Sequence, residues 1–263
     1  MTAKAQLKRS FEEEFIAAFG QEYRITTVFI DFVTLCIYAL ARDRAQDDSQ
    51  YDGVYNRIMT PYRAKGDGIR FPLLYSKLIQ EMDRRTGSKK GNDVLGEFFN
   101  EHINATEKSP KFITPWNVCD LMAQTYKGNL SYEETLEQRR VIDPECGTGR
   151  LLVTGARALG IHNYYYGIDS NVLCTRIAAI NLFFNEIYTG EIMCANAHNP
   201  QNTFVESYIL SYNPLRIFRI SKANESPLWR WTKAEPFKPK VDMDAHLVNE
   251  KLNQGRGSEL SIL

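Results

Sequence analysis

VIDPECGTGRLL, residues 141–152, runs two apolar β-formers into Asp143-Pro144, turns on Gly147-Thr148-Gly149, and resumes as an apolar run. That order reads as strand, glycine-rich turn, helix. Glycines suit such a turn because positive φ costs them little and because a ligand can come close to a backbone without Cβ atoms. Downstream the alternation continues. Arg140–Ile142 is expected as strand and Leu151–Leu159 as helix. Tyr164–Ile168 is strand again, and Val172–Ile187 is helix with Ile177, Ile180, Phe184 and Ile187 on one stripe. Glu191–Ala195 is a third strand. The pattern predicts an α/β chain carrying the first half of an open, parallel, doubly wound sheet.

In such a sheet the ligand lies beyond the carboxyl ends of the strands. Those ends carry Asp143 with the glycine turn, then Asp169, then Asn196. Asp169 follows Gly149 by 20 residues, the spacing of an acid that binds ribose hydroxyls. A glycine turn for a polar tail, an acid for a ribose and an amide for an adenine form a coherent nucleoside site. At this level the ligand is either a dinucleotide or S-adenosylmethionine.

Upstream, residues 1–108 read as a helical N-terminal domain. Ala5–Phe19 places Leu7, Phe11, Phe15 and Phe19 four apart on one face, with Gly20 at the helix end. Ile25–Ala45 reads as a buried helix. Its apolar part, Ile25–Leu40, is shorter than the roughly 18–20 residues of a membrane span and carries Asp31. Arg42–Asp52 is polar and expected as a loop, Gly66-Asp67-Gly68 as a turn, and Pro72–Arg85 and Asp93–Ile103 as helices. His102 reads as a helix-face histidine. Arg84–Gly91, RRTGSKKG, is a basic loop, either a solvated turn or a phosphate contact. Lys108–Pro115 breaks the helical run, and Pro115 suits the first turn of a new helix capped by Thr114. The expected organisation is 1–108 helical, 109–236 a Rossmann-like sheet domain, and 237–263 a loosely packed tail.

Charge is balanced, with 32 basic and 32 acidic residues, so no global positive field argues for nucleic acid. The five cysteines are scattered without a CxxC pair and the four histidines lie far apart. Neither a disulfide framework nor a metal site is expected, and a cytoplasmic location is.

Asp143-Pro144-Glu145-Cys146-Gly147-Thr148-Gly149 resembles the DPxCGTG signature of adenine-N6 DNA methyltransferases, most of all the modification subunit of type I restriction-modification systems. Asp93-Val94-Leu95-Gly96 resembles that family's D-x-LG helix. Phe112-Ile113-Thr114-Pro115 resembles its F-x-TP segment. Tyr166-Gly167-Ile168-Asp169, with Ala178 to Asn181-Leu182, resembles its cofactor-ribose strand and helix. The resemblance implies a Rossmann-like S-adenosylmethionine-dependent methyltransferase sheet. It implies that Asp143, Pro144 and the Gly147–Gly149 turn, with Phe112, Thr114 and Pro115, hold the methionine part of the cofactor. Asp169 would hold the ribose and Asn196 the adenine. Glu145 and Arg150 depart from the signature: a small residue is usual at the first and glycine at the second. Arg150 is expected as a surface residue at the helix start.

The family's acceptor-binding element is an (N/D/S)-P-P-(Y/F/W) tetrapeptide at the end of the fourth strand. Its polar groups grip the adenine amine and its aromatic stacks on the flipped base. No such tetrapeptide occurs in the 263 residues. Asn213-Pro214-Leu215-Arg216, after the apolar Tyr208–Tyr212, keeps the Asn-Pro, which makes Asn213 and Pro214 the candidate catalytic residues of a degenerate motif. Ser226-Pro227-Leu228-Trp229 is a second candidate, and Asn199-Pro200 reads as a turn. A missing aromatic removes about 1–3 kcal/mol of base stacking, so methyl transfer is expected to be reduced or lost. Two functions therefore stand. One is an adenine-specific DNA methyltransferase acting on DNA. The other is an inactive relative that pairs or competes with a restriction-modification specificity or modification subunit. A nicotinamide enzyme is disfavoured, because DPECGTG differs from the dinucleotide fingerprint.

Overall fold

The computed structural model describes residues 9–43, 49–85, 92–106, 113–234 and 261–262. Helix α1 (Phe11–Phe19) starts at Ser10. The Ser10 hydroxyl accepts from the Glu13 N–H and the Glu13 carboxylate accepts from the Ser10 N–H, a reciprocal cap. Its fourfold spacing buries Phe11, Phe15 and Phe19 completely. These meet Phe29 and Phe32 of α2 (Ile25–Leu40) and Phe98 of α5 (Val94–Phe98). Phe29 stacks on Phe98 at 4.7 Å. Helices α3 (Ser49–Ala64) and α4 (Arg70–Arg85) close this bundle, and a π-helical turn, Phe99–Ile103, continues α5. No helix among the described residues is long and apolar enough to cross a membrane.

The strands are β1 (Ala41–Asp43), β2 (Arg140–Asp143), β3 (Tyr164–Asp169), β4 (Gly190–Cys194), β5 (Glu206–Ser211), β6 (Arg216–Ile220) and β7 (Ser261–Ile262). They form one sheet in the order β1-β6-β5-β4-β3-β2-β7. β2, β3 and β4 are parallel neighbours, joined through α8 (Arg150–Leu159) and α9 (Val172–Phe184), as the alternation predicts. Between the bundle and β2 lie α6 (Trp116–Gly128) and α7 (Tyr132–Leu136); after β4 come α10 (Pro200–Thr203) and α11 (Pro227–Ala234).

Side chains alternate across the sheet. Val141, Tyr165 and Ile192 join the core under α8, α9 and the N-terminal helices. Ile142, Ile168 and Met193 pack with Leu228, Trp229 and Trp231 on the opposite face. The first of these cores is continuous from Phe11 to Ile217. The helical N-terminal residues therefore have no core of their own, and the stretch expected as a loop at Arg42–Asp52 gives β1 to the sheet and the start of α3. Residues 237–260 of the expected tail lie outside the described residues, but 261–262 form a sheet strand.

The strand expected after β4 is present, with the opposite direction. β5 runs antiparallel to β4, pairing Cys194 with Glu206 and Gly190 with Leu210. Only Ala195–Val205 joins the two, whereas a parallel return needs a crossover of a dozen or more residues. β6, antiparallel to β5, and β1, parallel to β6, return to the direction of β4, and β7 adds a parallel strand on the other side of β2 with Val141 opposite Ser261 and Ile142 opposite Ile262.

Candidate functional site

Three strand ends are laced together at one edge of the sheet. The Cys146 N–H donates to the Ile168 carbonyl at 3.0 Å, and the Ala195 N–H to the Asp169 carbonyl at 3.0 Å. The Gly147 N–H donates to Asp169 Oδ2 at 3.1 Å, and the Asn171 N–H to Asp169 Oδ1 at 2.7 Å. Asn171 in turn caps α9 by accepting from the Leu173 and Cys174 N–H groups.

The turn needs both glycines. Gly147 (φ +53°) and Gly149 (φ +82°) lie in the left-handed region. A Cβ on Gly149 would meet Leu182 and Ala178 at 2.9 and 3.2 Å, so α9 presses the turn from behind. A Cβ on Gly147 would meet nothing within 4 Å. That open side is where a ligand has room. Asn196 is exposed beyond β4, its Oδ1 accepting from the His198 N–H.

Asp143, at the end of β2, is 7% exposed and accepts from the Glu145 N–H at 3.1 Å. Burial pushes its carboxyl up to about 7, with Asp169 and Glu145 adding repulsion against that hydrogen bond. It is a buried acid suited to a cationic ligand group. Pro144 is half-buried, and the Glu145 side chain points to solvent, so the first departure from the signature leaves the turn open.

Arg150 differs from expectation. It is buried, 9% exposed, rather than on the surface. Its Nε and Nη2 each lie 3.1 Å from Asp93 Oδ2. Its Nη1 donates to the Thr114 carbonyl at 3.1 Å, and its guanidinium lies 4.9 Å from the Trp116 ring centre. Asp93 caps α5 and also accepts from the Gly96 N–H, the Thr148 hydroxyl and Asn181 Nδ2. This constellation was hidden in the D-x-LG and N-L stretches. Its signal was an acid at a helix start with an arginine directly after the glycine turn. The Thr114 carbonyl is thereby fixed beside the turn. Pro115, not Thr114, is the cap of α6, and Phe112 lies outside the described residues.

The two expected catalytic candidates do not come to this edge. Because β5 is antiparallel, Asn213-Pro214 follows its end at the amino edge of β4, opposite the glycine turn, and both residues are exposed. Ser226 is fully buried and donates to Glu191 Oε1 at 2.5 Å, while the Leu228 N–H donates to Glu191 Oε2 at 2.8 Å. Ser226-Pro227 therefore starts α11 and anchors it to β4. Asn199 precedes the short α10 as expected of a turn. Of the basic loop, Arg85 pairs with Glu81 and Glu97, and residues 86–91 lie outside the described residues. His102 bonds Glu12 at 2.8 Å.

A family model described as N-6 DNA Methylase matches residues 90–244, more than half of the chain. Among solved structures, the type I restriction-modification system methyltransferase subunit from Streptococcus thermophilus is similar at 24% sequence identity and a TM-score of 0.32. The match covers 46% of this chain and 25% of that chain, so the chain spans about a quarter of that subunit's length. No curated protein matches. With the family model spanning the D-x-LG helix, the glycine turn and all three laced strand ends, this chain belongs to the N-6 DNA methylase family.

Proposed function

We infer that the chain binds S-adenosylmethionine at the carboxyl edge of β2, β3 and β4 and serves methyl transfer to adenine N6 in DNA. The observation that carries this reading is the convergence of Asp143, the Gly147–Gly149 turn, Asp169 and Asn196 at one edge. The donor set fits the cofactor. Asp143 would take the ammonium of the methionine end, since a buried carboxyl held up near 7 gains most from a cation. The open face of Gly147 would receive the chain between methionine and ribose. Asp169 would accept from the ribose hydroxyls and Asn196 would meet the adenine edge. When bound, S-adenosylmethionine supplies a methyl group activated on a sulfonium. The residues of this chain hold that end of the reaction in place, which is the positional part of catalysis.

Asn213 and Pro214 stand at the amino edge of β4, opposite the glycine turn. That observation favours a second reading for these 263 residues, a cofactor-binding protein that pairs with a restriction-modification subunit and does not itself methylate.

Calorimetry with S-adenosylmethionine tests the first claim: saturable binding is expected, and Asp169→Ala should abolish it. Absence of binding by the folded wild-type chain would overturn it. Tritiated-methyl incorporation into unmethylated DNA, with and without a modification or specificity subunit, separates the two readings. Label from the isolated chain excludes the second.

A further inference from the structure

We propose that Arg150 is a positioning residue that locks the Thr114–Trp116 segment beside the Gly147–Gly149 turn and ties it to the N-terminal helices. The proposal rests on the cofactor reading above and adds the element that shapes the methionine end of the site.

The guanidinium has five N–H donors in a rigid plane. Two of its nitrogens face Asp93 Oδ2 at 3.1 Å. Asp93 is completely buried, and a buried carboxylate holds its place only when paired and hydrogen-bonded. Gly96 and Asn181 serve its Oδ1, and Thr148 shares its Oδ2 with Arg150. The arginine is therefore fixed in orientation by a carboxylate that is itself fixed by α5, the glycine turn and α9.

That orientation sends Nη1 to the Thr114 carbonyl at 3.1 Å and lays the plane against Trp116. Trp116 is held on its other side by Nε1 donating to Glu97 at 3.4 Å, and Glu97 pairs with Arg85 of α4. Thr114 to Trp116 is thus gripped from the turn by Arg150 and from the bundle by Glu97. Where the family resemblance leads one to expect glycine after the turn, this chain has a side chain that reaches back and sets the segment. Lysine cannot replace it: an ammonium can stay with Asp93 but does not offer the fork to Thr114 or the flat face to Trp116.

The test uses Arg150→Lys, which keeps the charge beside Asp93, and Trp116→Leu, which leaves the ion pair untouched. Hydrogen exchange is measured on the cofactor-free protein, and S-adenosylmethionine and S-adenosylhomocysteine affinities by calorimetry. In both variants, exchange over 113–119 should accelerate while exchange in β2 and β3 stays at the wild-type rate. Both dissociation constants should rise about tenfold, the loss expected of one charged hydrogen bond. Tryptophan emission of Arg150→Lys should shift against the constant background of Trp229 and Trp231, and the shift should vanish in Trp116→Leu. Wild-type exchange over 113–119 together with wild-type affinity in Arg150→Lys would overturn the proposal. A wild-type protein that binds no cofactor would overturn the functional reading instead, and the exchange measurement would still decide whether Arg150 locks the segment.

Discussion

Two buried carboxylates flank the glycine turn, and their surroundings could hardly differ more. Asp93, on the helical side, is met by Arg150, Thr148, Asn181 and the Gly96 N–H. Burial lifts its carboxyl, and each of those four partners pulls it back down. Asp143, at the end of β2, is met by the Glu145 N–H and by the repulsion of Asp169 and Glu145. One acid has its desolvation partly offset by four partners inside the protein. The other has only the Glu145 N–H against that cost. Burial alone does not separate architecture from site; the count of donors around the buried group does.

The contrast is broken most severely at Asp93. Asp93→Ala leaves the Arg150 guanidinium buried without its partner and should destabilise the protein by about 3–5 kcal/mol in urea or thermal unfolding. Asp143→Asn should act in the opposite sense on stability. The carboxyl of the native state titrates near 7, against about 4 in the unfolded chain. Its contribution is therefore fully present below pH 4 and is lost as pH rises through 7. At pH 8 the asparagine variant should exceed wild type by about 2 kcal/mol, the shift discounted for relaxation of the ionised site. The two should converge near pH 4, and the same variant should lose measurable S-adenosylmethionine binding.

The titration of Asp143 sharpens the comparison further. If the ionised acid receives the cofactor's ammonium, affinity should climb by up to about tenfold per unit between pH 5.5 and 7 and level off above 8. Calorimetry across that range checks it, and a flat profile removes Asp143 from the proposed site. The smallest effect belongs to Asn213→Ala. This exposed turn residue at the far edge of the sheet should change neither cofactor affinity nor stability by more than about 0.5 kcal/mol.

The β2–turn–α8–β3–α9–β4 unit was legible because its signals are local: apolar runs of strand length, helical spacing, and glycines where positive φ is needed. The fourfold phenylalanine spacing of α1 was legible for the same reason. The direction of β5 was not in its residues, since Tyr208–Tyr212 reads as strand either way. The length of Ala195–Val205, too short for a crossover, was the available clue and it points to the antiparallel answer. β1 and β7 are short edge strands of three and two residues that take their place from their neighbours. Arg150 misled because an arginine at a helix start usually faces solvent. Its burial follows from Asp93, 57 positions earlier, and only the fold brings the two together.

The register of β1 carries a consequence for how the chain acquires its structure. Ala41 pairs with Ile217, in parallel, at the far edge of the sheet. The loop closed by that pairing takes in β2, β3, β4 and the glycine turn, and closing long loops early is entropically unfavourable. On a ribosome the first helices emerge long before their partner strand exists. β1 then waits for the hairpin of β5 and β6 to be made, and that interval is when this chain most needs protection from self-association.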